Sequence, residues 1–185
     1  MSTVNICSCP HDRKTALEVY RQSLKEFETL AADEPNSSIA QRGLAIAYSR
    51  LADALWDTPN RKQCAELYRK SLAISQQLAA ADPNDKVARF GLAADLRNMG
   101  DVLAELGNLD GAIGYYRHAI AIVEVLSGAD PGNLLRRSQV GEGMVTLGAL
   151  LAKNKQLEAA RQTTLRGPRH SSSSCRAGWD AARDQ

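Results

Sequence analysis

No stretch of this chain is apolar for long enough to span a bilayer. The best run, Ala119-Ile120-Ala121-Ile122-Val123, falls far short of the ~20 residues a transmembrane helix needs. The first dozen residues, Met1 to Asp12, hold no Lys or Arg and no apolar run of the kind a secretory signal peptide carries. Membrane partners and export are therefore not expected, and the expected location is cytoplasmic. An excess of one charge is missing too. Lys and Arg number 23 against 21 Asp and Glu, a net charge of +2, which is too balanced for the basic face that a phosphate backbone demands. Nucleic acid is not expected as a partner. The four cysteines, Cys7, Cys9, Cys64 and Cys175, do not form the dense framework of a small secreted disulfide protein and fit a reducing compartment.

Chemistry-bearing clusters are also lacking. Cys7, Cys9 and His11 bring zinc-ligand types together, but Cys-x-Cys-x-His lacks the usual spacing and no second ligand pair follows. No metal is expected. The three histidines, His11, His118 and His170, lie far apart in sequence, which is poor material for a triad. The glycines of 107–114 and of Gly141-Glu142-Gly143 follow no phosphate-cradling or dinucleotide pattern. No two acidic residues stand out as an acid and its base. The chain reads as a protein without catalytic residues or cofactor, hence not an enzyme.

What the chain does have is a repeat. Hydrophobic residues at 44% and charged residues at 24% describe a chain that folds in water. Its 185 residues suit one compact domain or three to four short helical repeats. Glu34-Pro35, Asp82-Pro83 and Asp130-Pro131 place their prolines 48 residues apart, and other columns keep that register: Tyr20, Tyr68, Tyr116; Arg21, Arg69, Arg117; Leu24, Leu72, Ile120; Leu55, Leu103, Leu151.

Each unit reads as two helices. Ala112, Tyr116, Ala119, Ile120 and Val123 share one face of a helix that starts near Leu109 and stops before Pro131, because the residue ahead of a proline disfavours the α region. Asp130-Pro131-Gly132-Asn133 is then a turn carrying a cap for a second helix from Leu134 to about Ala152, with Val140, Met144, Leu147 and Leu151 on its buried side. Gly107 suits a helix C-cap with positive φ, and Asn108 caps the helix that follows. The small column Ala52, Gly100, Gly148 stands beside the large column Leu51, Met99, Leu147, so that helices approach closely while bulk fills the adjoining groove. Cys64, in the column Ala16, Cys64, Ala112, Ala160, reads as a small core residue.

Leu96-x-x-Met99-Gly100-x-x-Leu103 followed by Gly107-Asn108-Leu109-Asp110-x-Ala112-x-x-x-Tyr116-x-x-Ala119 resembles the tetratricopeptide repeat. The resemblance runs over roughly residues 12–166 as a long-helix variant, since 48 residues exceed the usual repeat of about 34. It implies an all-α fold, a right-handed α-solenoid of stacked antiparallel helix pairs. Its implied role is a non-catalytic adaptor that takes a protein or peptide partner in a concave groove lined by the first helix of each pair. The positions matching the family's carboxylate-holding set are Ser49, Arg50 and Asp53, then Arg97, Asn98 and Asp101, then Val145, Thr146 and Ala149. The family's clamp is not reproduced in them. Arg50, Arg97 and Asn98 could hold an acidic or C-terminal group through charge-assisted hydrogen bonds, with Asp53 and Asp101 one turn away partly cancelling that field. The segments 67–74 and 80–83 further resemble arrays found behind bacterial serine/threonine kinase domains. They open the alternative of a detached sensory or scaffolding segment of such a signalling protein.

Both ends depart from the pattern. Residues 12–32 match second-helix columns, so the opening hairpin lacks its first half, and the uncovered terminal helices leave self-association open. Leu157, Ala160 and Arg161 begin another second helix, but Gly167-Pro168 falls where earlier units have Ala119-Ile120, and Ser171 to Ser174 follow. The loss of register suggests a truncated or frame-shifted reading of a longer repeat gene. The expected organisation is a disordered N-terminus over 1–11, the array over 12–166, and a disordered tail over 167–185, whose lone aromatic, Trp179, is weak evidence for a partner anchor. Trypsin should therefore remove the tail rapidly while the repeats resist; a tail that survives as long as the array contradicts this.

Overall fold

The computed structural model describes residues 10–56, 58 and 60–166. Among them the chain is all-helical: α1 Pro10–Asp33, α2 Ser38–Leu55, α3 Arg61–Ala81, α4 Lys86–Glu105, α5 Leu109–Gly128, α6 Leu134–Lys153 and α7 Leu157–Arg166. The chain divides into two compact units, Met1–Asp95 and Leu96–Gln185.

The sequence register sets the helix boundaries. After each of Pro35, Pro83 and Pro131 the next helix begins at the third residue, Ser38, Lys86 or Leu134. The residue just before it supplies the cap. Ser37 Oγ accepts from the Ala40 amide at 3.3 Å, Asp85 Oδ1 from those of Val87 and Ala88 at 2.8 and 3.0 Å, and Asn133 Oδ1 from that of Arg136 at 3.1 Å. These are three different side chains at one repeat position, each satisfying amides that the helix itself leaves unpaired. The Asp85 carboxyl is held below its ordinary range, first by the Ala88 amide, with Arg42 adding to the effect. Asn108 caps α5 in the same way, accepting from the Gly111 amide at 3.0 Å.

Consecutive helices pack antiparallel. In the first unit Tyr48 of α2 reaches Glu28 of α1, the Gln41 side chain of α2 reaches the Ala31 carbonyl, and Ser71 of α3 donates to the Ala45 carbonyl of α2 at 2.8 Å. In the second unit α6 lies between α5 and α7: a Cβ at Gly143 would stand 3.0 Å from Ile120, and Gly148 faces Thr164. The expected core faces are buried. Ala112, Tyr116, Ala119, Ile120 and Val123 all point inward on α5, as do Val140, Met144, Leu147 and Leu151 on α6. The exception is α1, where Leu30 is 40% exposed while its counterpart Leu126 is 1% exposed. No described helix precedes α1 to cover that side.

The hairpin turns preserve their geometry across a change of residue. Gly107 has φ 80°, and Lys155, in the same register, has φ 61°. The bonding around them matches: Asn108 N donates to Leu103 O and Gln156 N to Leu151 O, both at 2.8 Å. The left-handed conformation costs a side-chain-bearing residue energy that glycine avoids. Lys155→Gly should stabilise the second unit by about 0.5–1 kcal/mol after glycine's entropic cost is set against it. Urea unfolding measures this, and a destabilised variant would contradict it.

Candidate protein-binding face

In the first unit the first helices α2 and α4 lie side by side in the same direction. Arg42 Nη2 meets Asp85 Oδ2 at 2.7 Å, and a few residues further along both helices Ser49 Oγ meets Asp95 Oδ1 at 2.8 Å. The outward face of α2 carries Ile46, Arg50 and Asp53, whose spacing puts them on one stripe. Arg50 Nη1 stands 3.7 Å from Asp53 Oδ2, both well exposed, so this pair has little energetic weight and leaves the guanidinium available. Ile46 is 53% exposed. Sequence reasoning missed it because its counterparts, Ala94 and Glu142, share no property with it.

Ser49, expected on this face, turns its hydroxyl inward to Ser71 and Asp95. Asp53 is engaged from the rear, where the Tyr68 hydroxyl of α3 donates to its Oδ1 at 2.7 Å. Tyr68 is itself braced edge-on by Trp56, ring centroids 6.2 Å apart.

The second unit repeats the device. Arg97 is exposed, Asn98 is half-buried, and Asp101 accepts a hydrogen bond from the buried Tyr116 hydroxyl of α5. The ring of Tyr116 lies against Gly100, where a Cβ would stand 2.6 Å from it. Burial pushes the Asp101 carboxyl above its ordinary range, and the Tyr116 hydrogen bond and the Arg97 charge offset this in part, while Glu105 adds to it. The Tyr116 phenol is pushed upward, first by burial and then by its bond to Asp101. Both pairs span 15 residues. That common spacing, in the 48-residue register, was the signal available in the sequence. In the last hairpin Ala149 and Thr164 occupy the two positions, and the threonine hydroxyl turns back to the carbonyls of Ala160 and Arg161. Val145 is exposed there, and Thr146 donates to the Glu142 carbonyl of its own helix.

The remaining sequence candidates do not converge. Cys64 is buried with its Sγ 3.4 Å from the Ala52 carbonyl. Burial, and secondarily Asp53, push its thiol up to about 11, the reverse of what a reactive thiolate needs. His118 is exposed on α5. Among the described residues no three His, Cys, Asp or Glu side chains gather to hold a metal ion, and no helix is long and apolar enough to cross a membrane. Cys7, Cys9, Cys175, His170 and Trp179 lie outside the described residues, as does the side chain of His11 and the whole of the 167–185 tail.

Short-looped antiparallel helix pairs, capped in register and closed on small residues, define a helical-hairpin repeat protein. The family model for the tetratricopeptide repeat matches residues 93–131, the stretch holding Leu96, Met99, Gly100, Leu103, Gly107 and Tyr116. Among solved structures the chain is similar to MamA, at 14% identity over 88% of this chain and 94% of that one with a TM-score of 0.46. It is also similar to BtubC (BKLC) from P. vanneervenii, at 15% identity over 88% and 97% with a TM-score of 0.36. No curated protein matches the sequence.

Tyr116→Phe keeps the ring against Gly100 and deletes only the donor. It should cost about 1–3 kcal/mol in urea unfolding, the range for hydrogen bonds to charged or buried acceptors. It should also move the Asp101 titration upward in carboxyl-labelled NMR, because the bond that favours its ionised form is gone. An unmoved Asp101 would show that the phenol does not hold it.

Proposed function

We propose that this chain is a non-catalytic protein-interaction module that binds a peptide or protein segment along the outward face of its first helices. The reading rests on one observation above the others. On α2 an exposed apolar side chain, Ile46, adjoins an exposed cation, Arg50, while the flanking Asp53 is turned partly to its own tyrosine. A ligand combining an apolar side chain with a carboxylate fits such a stripe. In the second unit, taken by itself, Arg97 and Asn98 of α4 present a cation and an amide, and the tetratricopeptide-repeat match over 93–131 supports assigning binding to first helices. A cytoplasmic setting belongs to this proposal.

The likeness of 67–74 and 80–83 to kinase-attached arrays favours a second reading, in which the same face serves as the sensory or scaffolding segment of a larger signalling protein. The DNA flanking the gene separates the two. Exposed Val19 and Leu30 on α1 support self-association as a further property, which light scattering across a range of concentrations would register as a rise in mass.

Arg97→Glu should weaken partner recovery in a pull-down from the native host by ~1 kcal/mol or more with helicity unchanged, because it presents a like charge to an acidic ligand. Arg69→Glu, on the exposed side of α3, serves as the control. Equal recovery by wild type and both variants would reject the first-helix face, and selective loss with Arg69→Glu would move the site to the second helices.

A further inference from the structure

Asp95 is 5% exposed and sits where three serine hydroxyls from two helices meet. Ser49 Oγ of α2 lies 2.8 Å from its Oδ1, and Ser71 and Ser75 Oγ of α3 lie 2.9 and 2.6 Å from its Oδ2. Two further contacts complete the cluster: Ser49 Oγ to Ser71 Oγ at 2.9 Å and Ser71 Oγ to the Ala45 carbonyl at 2.8 Å. That makes five contacts for three hydroxyl protons. With an ionised Asp95 the three protons fill three contacts and two hold no hydrogen; when all three hydroxyls point to the carboxylate, those two are the Ser49–Ser71 and Ser71–Ala45 approaches. A proton on Asp95 Oδ1 changes the count. Asp95 then donates to Ser49, Ser49 to Ser71 and Ser71 to the Ala45 carbonyl, while Ser75 donates to Oδ2, and four of the five contacts are hydrogen bonds.

We infer that Asp95 stands as a neutral carboxylic acid in the folded chain, and that its proton closes a directed hydrogen-bond chain tying α4 to α2 and α3. Its loss as pH rises loosens the first unit beneath the α2 face.

The electrostatic surroundings agree. From α2 the charged group acting on Asp95 is Asp53, a like charge; α3 presents Ser71 and Ser75, which are uncharged; and no cation among the described residues forms an ion pair with it. Burial is the largest influence and raises the carboxyl above its ordinary range, against the opposing hydrogen bonds of Ser75, Ser49 and Ser71. A carboxyl raised in the folded state contributes stability that is fully present below its unfolded value of about 3.9 and is lost as pH rises through the folded value. The device thus favours acid, the reverse of an ion-paired aspartate.

The test follows aspartate-carboxyl-labelled NMR of the full chain from pH 3 to 9. Besides Asp101, whose carboxyl burial also raises, one carboxyl carbon should keep the shift of the protonated form after the exposed aspartates have ionised near pH 4, and that resonance should be absent in Asp95→Asn while the one belonging to Asp101 remains. If Asp95→Asn does not fold, Ser75→Ala identifies the resonance instead by displacing it. The second arm compares thermal unfolding at pH 5 and pH 8. Wild type should lose about 2–4 °C more than Asp95→Asn over that interval, because asparagine mimics the neutral acid and does not titrate. An Asp95 carbon that ionises together with the exposed aspartates, or melting temperatures that run parallel in the two proteins, would overturn the inference.

Discussion

Close approach of the second helix to a near-absent side chain on the first is the constraint from which the hairpins derive. At Gly100 the ring of Tyr116 occupies the space a Cβ would need, and Gly148 stands in the same relation to Thr164. Once the tyrosine lies across that position, its hydroxyl can reach only a short distance further along the first helix. The residue one place on is Asp53 in one hairpin and Asp101 in the other, and each receives the phenol. Packing and polar satisfaction are therefore one device. The ring supplies buried area, and the hydroxyl finds the partner that a buried phenol requires. Where the last hairpin loses both members, to Ala149 and Thr164, the small residue Gly148 remains and the helices still close.

This coupling changes what the first-helix face presents. Asp53 and Asp101 look in sequence like charges that partly cancel those of Arg50 and Arg97 and leave a solvated mixed face. In the folded chain they are drawn toward the helix behind, and Asp101 is additionally raised toward its neutral form by burial. The arginines stay exposed. Each carboxylate thus has a phenol hydroxyl as a partner on the helix behind it, so it is not held by the arginine of its own helix alone.

How much of this could be read from the sequence depended on recurrence. Features that every repeat shares leave a column: the prolines that end the helices, the cap position before Ser38, Lys86 and Leu134, the buried stripe of α5, and the turn at Gly107. All of these were legible, down to Asn154 closing α6. Features belonging to a single repeat leave none. Asp95 corresponds to Ala47 and Gly143, and Ser75 corresponds to Phe27 and Val123, so the buried serine–aspartate cluster has no signature in the register. Ser49 was assigned outward from its family position, and its hydroxyl turns inward only because this one repeat places an acid opposite it. Lys155 shows the converse. The turn demanded a left-handed residue in that register, and the backbone kept the conformation although the glycine was gone.

The same distinction separates stability from recognition in this architecture. A column that recurs at 48 residues does so because each hairpin must solve the same packing problem, so the recurring residues are those least able to tell one ligand from another. Specificity has to come from positions where the repeats differ. On the first helices those positions are Ile46 against Ala94 and Glu142, and Arg50 against Asn98 and Thr146. The α2 segment thus combines an exposed apolar group with a cation, whereas its α6 counterpart offers an acid and a hydroxyl. Under the proposed binding role, a segment that carries both an apolar group and a carboxylate is matched by the chemistry of α2 and not by that of α6.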